Sequence, residues 1–249
     1  MGELTPEERG QRIIGACLAE KSANPYEVFR NVARRDFVRM HGPEHHVLDG
    51  AAVLVAYHNA GGDVDLPAAL AELASRGLRM PGAMCGLWGV CGATASVGAA
   101  LSILEGTGPL SGDDSWGSHM AYTSRALEAL SHIGGPRCCK RDAYISLETA
   151  VDYIRERFGV RLEKDDVRCG FYPKNAQCLG ERCPFFPANT TGAWAGTPDN
   201  GYDRWGGRNL MPRRAKTPHR TDFLLPVHKN APSNGAVGRL ISLMQLSLH

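Results

Sequence analysis

The eight cysteines are the residues of this 249-residue chain best suited to chemistry. Seven of them fall in three short segments, of which the first two are rich in glycine: MCGLWGVCG at 84–92, GGPRCCKRD at 134–142, and the stretch 169–184. Glycine lets the backbone approach a bulky inorganic group closely, and its N–H groups can then donate to sulfur. This combination favours an iron–sulfur cluster.

Six cysteines are the predicted metal ligands. They are Cys85, Cys91, Cys138, Cys139, Cys178 and Cys183. The pair Cys183-Pro184 is typical of the end of an iron–sulfur ligand run, although its spacing from Cys178 matches neither common ferredoxin pattern. Zinc is the first alternative, but the chain lacks the paired C-x2-C motifs typical of zinc sites. The second alternative is a set of reactive thiols that hold no metal.

The neighbours of the cysteines distinguish their roles. Cys17 continues an apolar helical stripe, so we expect a buried, inert thiol. Cys138 and Cys139 are adjacent, so their side chains must diverge, and we expect only one of them to face a given site. The cations beside them should lower their thiol pKa and form a basic rim, and two of these are candidate cofactor-binding residues. The cations are Arg137, Lys140 and Arg141, and the candidates are Arg137 and Lys140.

Two histidines are the predicted acid–base residues. His45 and Asp49 are four residues apart, so on a helix they share one face and can form a hydrogen-bonded pair or share a metal. A purely structural role at a helix start is the alternative. His119 follows Trp116 in a segment that we expect to be a loop before a helix, where it can line a pocket.

Helix start signals recur along the chain and predict a mainly α fold. Thr5-Pro6, Asn24-Pro25 and Gly42-Pro43-Glu44 each precede an apolar pattern with helical spacing. We expect a single helical domain whose glycine-rich loops carry the cysteines. The predicted helices run from Pro6 to about Lys21, from Pro25, from Glu44 through Tyr57, over 65–76, from about Thr94, over 122–132 and over 144–158.

Composition and absent motifs exclude several classes of protein. The chain is 43% hydrophobic and 22% charged, and no apolar run approaches the roughly 18–20 residues of a membrane span. The polar first fifteen residues do not resemble a secretory signal, so we expect a cytoplasmic protein with reduced thiols. The motifs of P-loop hydrolases, dinucleotide-binding folds, α/β-hydrolases and radical S-adenosylmethionine enzymes are missing.

Charge divides the chain near Pro187. Residues 1–187 carry 20 Lys and Arg against 23 Asp and Glu, whereas residues 188–249 carry 8 against 3 and no cysteine. We therefore predict a cysteine-rich helical domain at 1–187 and a basic tail at 188–249 that is disordered or foreign to the domain. A nucleic-acid-binding arm is an alternative that we do not favour.

The ordered set of motifs resembles a known family. The segments that carry the resemblance are Glu44-His45-His46 to Asn59, MPGAMCGLWGVCGATASVGAALSIL, GGPRCCKRDAYISLETAV and QCLGERCPFF. Over about residues 10–187 they resemble a cysteine-rich domain-of-unknown-function family of mostly anaerobic bacteria and archaea, whose members occur alone or fused to methyltransferase-like domains. The resemblance implies metal-binding cysteines but no established reaction.

The expected function is metal binding, with an iron–sulfur cluster that serves sulfur, methyl-group or redox chemistry on a small substrate. The alternative is a non-catalytic metal-binding module that docks onto a methyltransferase or another enzyme. A catalytic cluster keeps an open position or a free thiol beside a cavity, whereas a module has a closed cysteine site.

Overall fold

The computed structural model describes residues 2–189. They form eight α-helices and two short 3-10 helices, and no β-strand occurs in this part of the chain. The predicted mainly α fold is therefore confirmed. The helices are α1 (Pro6–Ala19), α2 (Pro25–Ala33), α3 (His45–Asn59), α4 (Leu66–Gly77), α5 (Met84–Leu87), α6 (Gly92–Glu105), α7 (Ser115–Ile133) and α8 (Cys139–Phe158).

Side-chain caps begin three of these helices where the sequence predicts them. Thr5 and Glu8 form a capping box at the start of α1. The Asn24 side chain accepts hydrogen bonds from two N–H groups of the first turn of α2, and the Asp65 side chain accepts one at the start of α4. Each cap satisfies N–H groups that have no partner within the helix.

Helix α3 is the centre of the core. Every residue from His45 to Tyr57 is buried, and α1, α2, α4, α6 and α8 pack around it. From Ala51 to Ala56 its residues are apolar on all sides, as expected of a helix surrounded by protein. Gly50 brings α3 close to α6, because its N–H donates to Ser96 Oγ at 2.9 Å and a Cβ here would lie 2.5 Å from the Ser96 carbonyl oxygen.

Two helices begin earlier than the sequence predicts. Helix α7 begins at Ser115, so His119 lies inside a helix and the expected loop position is wrong. Helix α8 begins at Cys139, and its N-cap is the Cys138 thiol, which accepts a hydrogen bond from the Arg141 N–H at 3.5 Å. Sulfur is not among the usual capping atoms, which are the oxygens of Ser, Thr, Asp and Asn, so the sequence signal is missing.

The segment after α8 folds back onto the start of that helix. Its 3-10 helices, Tyr172–Lys174 and Gly180–Arg182, are joined by turns, and the Cys169 N–H donates to the Phe185 carbonyl at 2.8 Å. This return brings three cysteines from 169–183 to the N-terminus of α8.

None of the helices within residues 2–189 combines the length and the apolar character needed to cross a membrane. The predicted basic tail lies outside the described residues from position 190 onward.

Candidate metal centre and adjoining cavity

Four cysteines line one small cavity at the N-terminus of α8. Cys138 comes from the helix cap, and the other three come from the segment that folds back: Cys169, Cys178 and Cys183. The cavity measures about 20 Å³, close to the space of a single water molecule. The four thiols therefore face a common, nearly filled space, and we call this set the four-cysteine cluster.

Two of these sulfurs accept hydrogen bonds from N–H groups. Cys138 Sγ accepts from the Arg141 N–H at 3.5 Å and from the Asn175 side-chain amide at 3.4 Å. Cys178 Sγ accepts from the Gly180 N–H at 3.4 Å. Such donors stabilise negative charge on sulfur and tune the potential of a bound cluster.

Aromatic rings enclose the four-cysteine cluster. The rings that line its cavity belong to Tyr144, Phe171, Tyr172, Phe185 and Phe186. The Tyr144 and Phe185 rings pack with their centroids 5.2 Å apart, and the Tyr172 and Phe186 rings pack at 5.0 Å. This shell limits the contact of the sulfurs with water, although Cys169 and Cys178 remain partly exposed, and it lowers the local dielectric constant.

Burial raises the pKa of three of the four thiols. For Cys138, and for its neighbour Cys139, whose pKa burial raises to about 12, this corrects the expectation that the adjacent cations lower the thiol pKa. For Cys138, Cys169 and Cys183 the largest cause is burial, and the charge of a neighbouring thiolate in the cluster adds to it for Cys169 and Cys183. The pKa of Cys183 rises to about 11. The protein alone therefore holds these groups as neutral thiols, and a bound metal cation would favour the thiolate form of each.

The chemistry of the donor set fits a thiophilic metal. Four thiols and N–H donors to sulfur are the elements of cysteine-ligated zinc and iron–sulfur sites. Among residues 2–189, however, no group of three or more Cys, His, Asp or Glu side chains is arranged so that it could hold a metal ion as it stands. The sulfurs thus share a cavity without the closed geometry of a site.

The other three predicted ligands face a different cavity of about 280 Å³. Cys85, Cys91 and Cys139 line it, and the starts of α3, α6 and α8 all contribute to its wall. Cys138 and Cys139 therefore diverge, as the sequence predicts, and each faces its own cavity. We call this space the helix-end cavity.

Two histidines from the start of α3 line the helix-end cavity. His46 is buried, and its Nδ1 has no hydrogen-bond partner within the described residues. Burial lowers the pKa of His46, so its ring is neutral near pH 7. Gly92 makes room for this ring, because a Cβ there would lie 2.1 Å from His46 Nε2.

His45 belongs to a buried polar chain rather than to an exposed acid–base site. Its Nδ1 lies 3.3 Å from Asp49 Oδ1, and its Nε2 lies 2.8 Å from Lys140 Nζ. The hydrogen-bonded pair predicted from the i,i+4 spacing is therefore present. Lys140 is 1% exposed and donates to the Arg39 carbonyl at 2.9 Å, so it lies in the core and not on a basic rim. Burial lowers the pKa of Lys140 to about 8.

The Arg39–Glu44 ion pair lies beside these groups. Arg39 Nη2 donates to Glu44 Oε2 at 2.9 Å, and the Arg39 backbone N–H donates to Oε1 at 2.8 Å. Burial by itself would raise the pKa of Glu44, but the hydrogen bonds from Arg39 outweigh it and hold the pKa at about 2.

The remaining candidates lie apart from the four-cysteine cluster. His119 Nδ1 lies 3.1 Å from the Ser115 carbonyl, and the residue lines neither of these two cavities. Arg137 lines the helix-end cavity. Cys17 is fully buried with its pKa raised to about 12, chiefly by burial, which confirms the expected inert thiol.

The sequence interpretation missed three residues around the cysteines. Cys169 was not among the predicted ligands, although it is one of the eight cysteines. Asn175 and His41 link the two cavities: the Cys139 N–H donates to His41 Nδ1 at 3.5 Å, and His41 Nε2 lies 3.1 Å from Asn175 Oδ1. The only signal for Asn175 is its position three residues before Cys178.

Within residues 2–189 the protein is all-α, and four of its eight cysteines line one cavity at the start of α8. Residues 13–186 match the family of unknown function DUF5714, and because the match covers more than half of the chain, the protein belongs to that family. No curated protein and no solved structure matches the chain.

Proposed function

We propose that this protein binds an iron–sulfur cluster through Cys138, Cys169, Cys178 and Cys183. One observation carries the proposal: four cysteines that are up to 45 positions apart in the sequence line a single cavity at a helix N-terminus. Chance burial of unrelated thiols gives no reason for all four to share one space. A cysteine-ligated metal gives such a reason.

The surroundings of the sulfurs support a cluster that carries electrons. N–H donors to sulfur stabilise the reduced, more negative state of a cluster, and the aromatic shell protects it from solvent. Thiolates at the N-terminus of the 20-residue helix α8 also interact favourably with its dipole. The proposed role of the cluster is redox chemistry, and sulfur chemistry and methyl-group chemistry on a small substrate are the other two reactions proposed for it.

A second function has its own supporting observation. Leu87 and Trp88, in and just after α5, are 76% and 68% exposed. Exposed apolar side chains of this size favour contact with another protein. On that basis the alternative is a metal-binding module that docks onto an enzyme such as a methyltransferase.

The experiment is metal and sulfide analysis of the full chain purified without oxygen, together with its visible absorption spectrum. Matched Cys→Ser variants are compared at Cys138, Cys169, Cys178 and Cys183, with Cys17→Ser as the control because its thiol is also buried but lies in α1. In the wild type and in Cys17→Ser we expect broad visible absorbance and similar amounts of iron and sulfide per chain. In the other four Cys→Ser variants we expect both iron and sulfide to be lost.

Two results would contradict the proposal. Stoichiometric zinc without sulfide would replace the iron–sulfur cluster with a structural zinc site on the same thiols. Full iron and sulfide content in all four variants would remove the four-cysteine cluster from consideration altogether. Circular dichroism of each variant separates loss of metal from loss of fold.

A further inference from the structure

A larger cleft of about 870 Å³ adjoins the helix-end cavity. Its walls are the α5 segment, the last turns of α7 and the loop that leads into α8. Cys85, Cys91, Arg137 and Asp142 line both spaces. The volume lies within the range of about 300–1,000 Å³ that is typical of small-molecule sites.

Arg141 lies between this cleft and the four-cysteine cluster, lines both cavities, and carries a cationic donor without a partner. The residue is 5% exposed, its Nε donates to Asp142 Oδ1 at 3.0 Å, and its Nη2 donates to the Pro136 carbonyl at 3.1 Å. Its Nη1 is buried and has no partner within residues 2–189. A buried guanidinium nitrogen without an acceptor is costly, and an anionic ligand would satisfy it.

A second arginine and an apolar wall complete the cleft. Arg137 is exposed and forms no ion pair among residues 2–189. Leu127 and Leu130 of α7, with Leu87 at the lip, provide the apolar surface. A cleft lined both by two cations and by leucines suits a molecule with a charged head and an apolar body.

We propose that this cleft binds a small organic anion, a carboxylate or phosphate ester with an apolar body, whose head group pairs with Arg137 and Arg141. The proposal does not depend on the metal centre. Two carboxylates also line the cleft: Asp142 already pairs with Arg141, and Glu128 is exposed on α7. A cationic ligand that pairs with Glu128 is therefore the competing outcome.

The test is isothermal titration calorimetry of the full chain with four eight-carbon probes that differ only in the head group. They are octanoate, octyl phosphate, octan-1-ol and octylamine. We expect an anionic probe to bind at least about tenfold more tightly than the alcohol, because one charge-assisted hydrogen bond contributes about that factor. Tighter binding of octanoate identifies a carboxylate site, and tighter binding of octyl phosphate identifies a phosphate site.

Arginine variants test whether the charged head group of the probe pairs with Arg137 and Arg141. Arg137→Ala should weaken the anionic probe about tenfold and leave the alcohol unchanged, whereas Arg12→Ala, on the exposed face of α1, should change neither. Arg141→Met should also weaken binding of the anionic probe. If this variant does not fold, Arg137→Ala alone decides the test. Equal binding of all four probes, preference for octylamine, or no binding at millimolar concentration would overturn the proposal. If Arg137→Ala keeps the iron content of the wild type, its weaker anion binding does not come from loss of the proposed iron–sulfur cluster.

Discussion

The change Gly50→Ala tests how closely α3 and α6 must pack to form the helix-end cavity. A Cβ at position 50 would lie 2.5 Å from the Ser96 carbonyl oxygen and 2.9 Å from its Oγ. The nearer contact is backbone, so it can be relieved only if one helix moves. Because α3 and α6 begin at this cavity, their separation would also displace His46 and Cys91.

The magnitude follows from two opposing terms. Overpacking a tight interface costs about 1–3 kcal/mol, and replacing glycine by alanine inside a helix returns up to about 1 kcal/mol. We expect Gly50→Ala to lower the free energy of unfolding by about 1–2 kcal/mol. For a chain of this size that corresponds to a fall in Tm of roughly 2–8 °C.

The assay is urea unfolding followed by circular dichroism, with Gly15→Ala as the matched control. Gly15 lies in α1, and a Cβ added there would have no other atom within 4 Å, so alanine should stabilise the protein by about 0.5–1 kcal/mol. If Gly50→Ala proves as stable as Gly15→Ala, the two helices do not approach as described, and the reasoning about the cavity wall fails.

Three further predictions concern the site. The Glu44 carboxyl has a pKa of about 2 in the fold against 4.5 ordinarily, so its contribution is complete above about pH 4.5 and is lost as pH falls towards 2. The guanidinium of Arg39 is 40% exposed and therefore screened by solvent, so we expect the ion pair to contribute about 1–2 kcal/mol to the free energy of unfolding. In Glu44→Gln the free energy of unfolding should depend less on pH between about 2 and 4.5. Gly92→Ala should displace the His46 ring and move its imidazole resonances in NMR spectra without unfolding the protein; unchanged resonances would contradict the contact. Asn175→Leu removes an N–H donor to Cys138 Sγ, so a redox titration should give a more negative cluster potential with iron content retained; an unchanged potential would contradict this role.

The helices were predictable where their caps are made by side-chain oxygens. Thr5, Asn24 and Asp65 each satisfy N–H groups of the following turn, and this chemistry is local enough to be recognised in a few residues. The start of α8 was not predictable in this way because a thiol caps it. The sequence pattern also predicts the start of α7 too late, so it places His119 in a loop rather than in the helix.

The grouping of the cysteines depends on the tertiary fold. The sequence predicts that Cys138 and Cys139 diverge, because adjacent side chains cannot face the same point. It does not predict that Cys169 joins Cys138 across 30 intervening residues, since that contact depends on how the segment after α8 folds back. The sequence likewise shows the cations beside Cys138 and Cys139 but not the burial of the two thiols. That burial is the largest cause of their raised pKa, which is why the expected direction is wrong.

The most direct test of the four-cysteine cluster compares two cysteines. The sequence predicts one of them as a metal ligand, and the structure favours the other. Cys85 is a ligand predicted from the sequence that lines the helix-end cavity, whereas Cys169 lines the four-cysteine cluster. The measurement is iron and acid-labile sulfide per chain in Cys169→Ser and Cys85→Ser, both purified without oxygen. We predict loss of iron and sulfide in Cys169→Ser and wild-type content in Cys85→Ser. Retained iron in Cys169→Ser together with its loss in Cys85→Ser would contradict the proposed cluster.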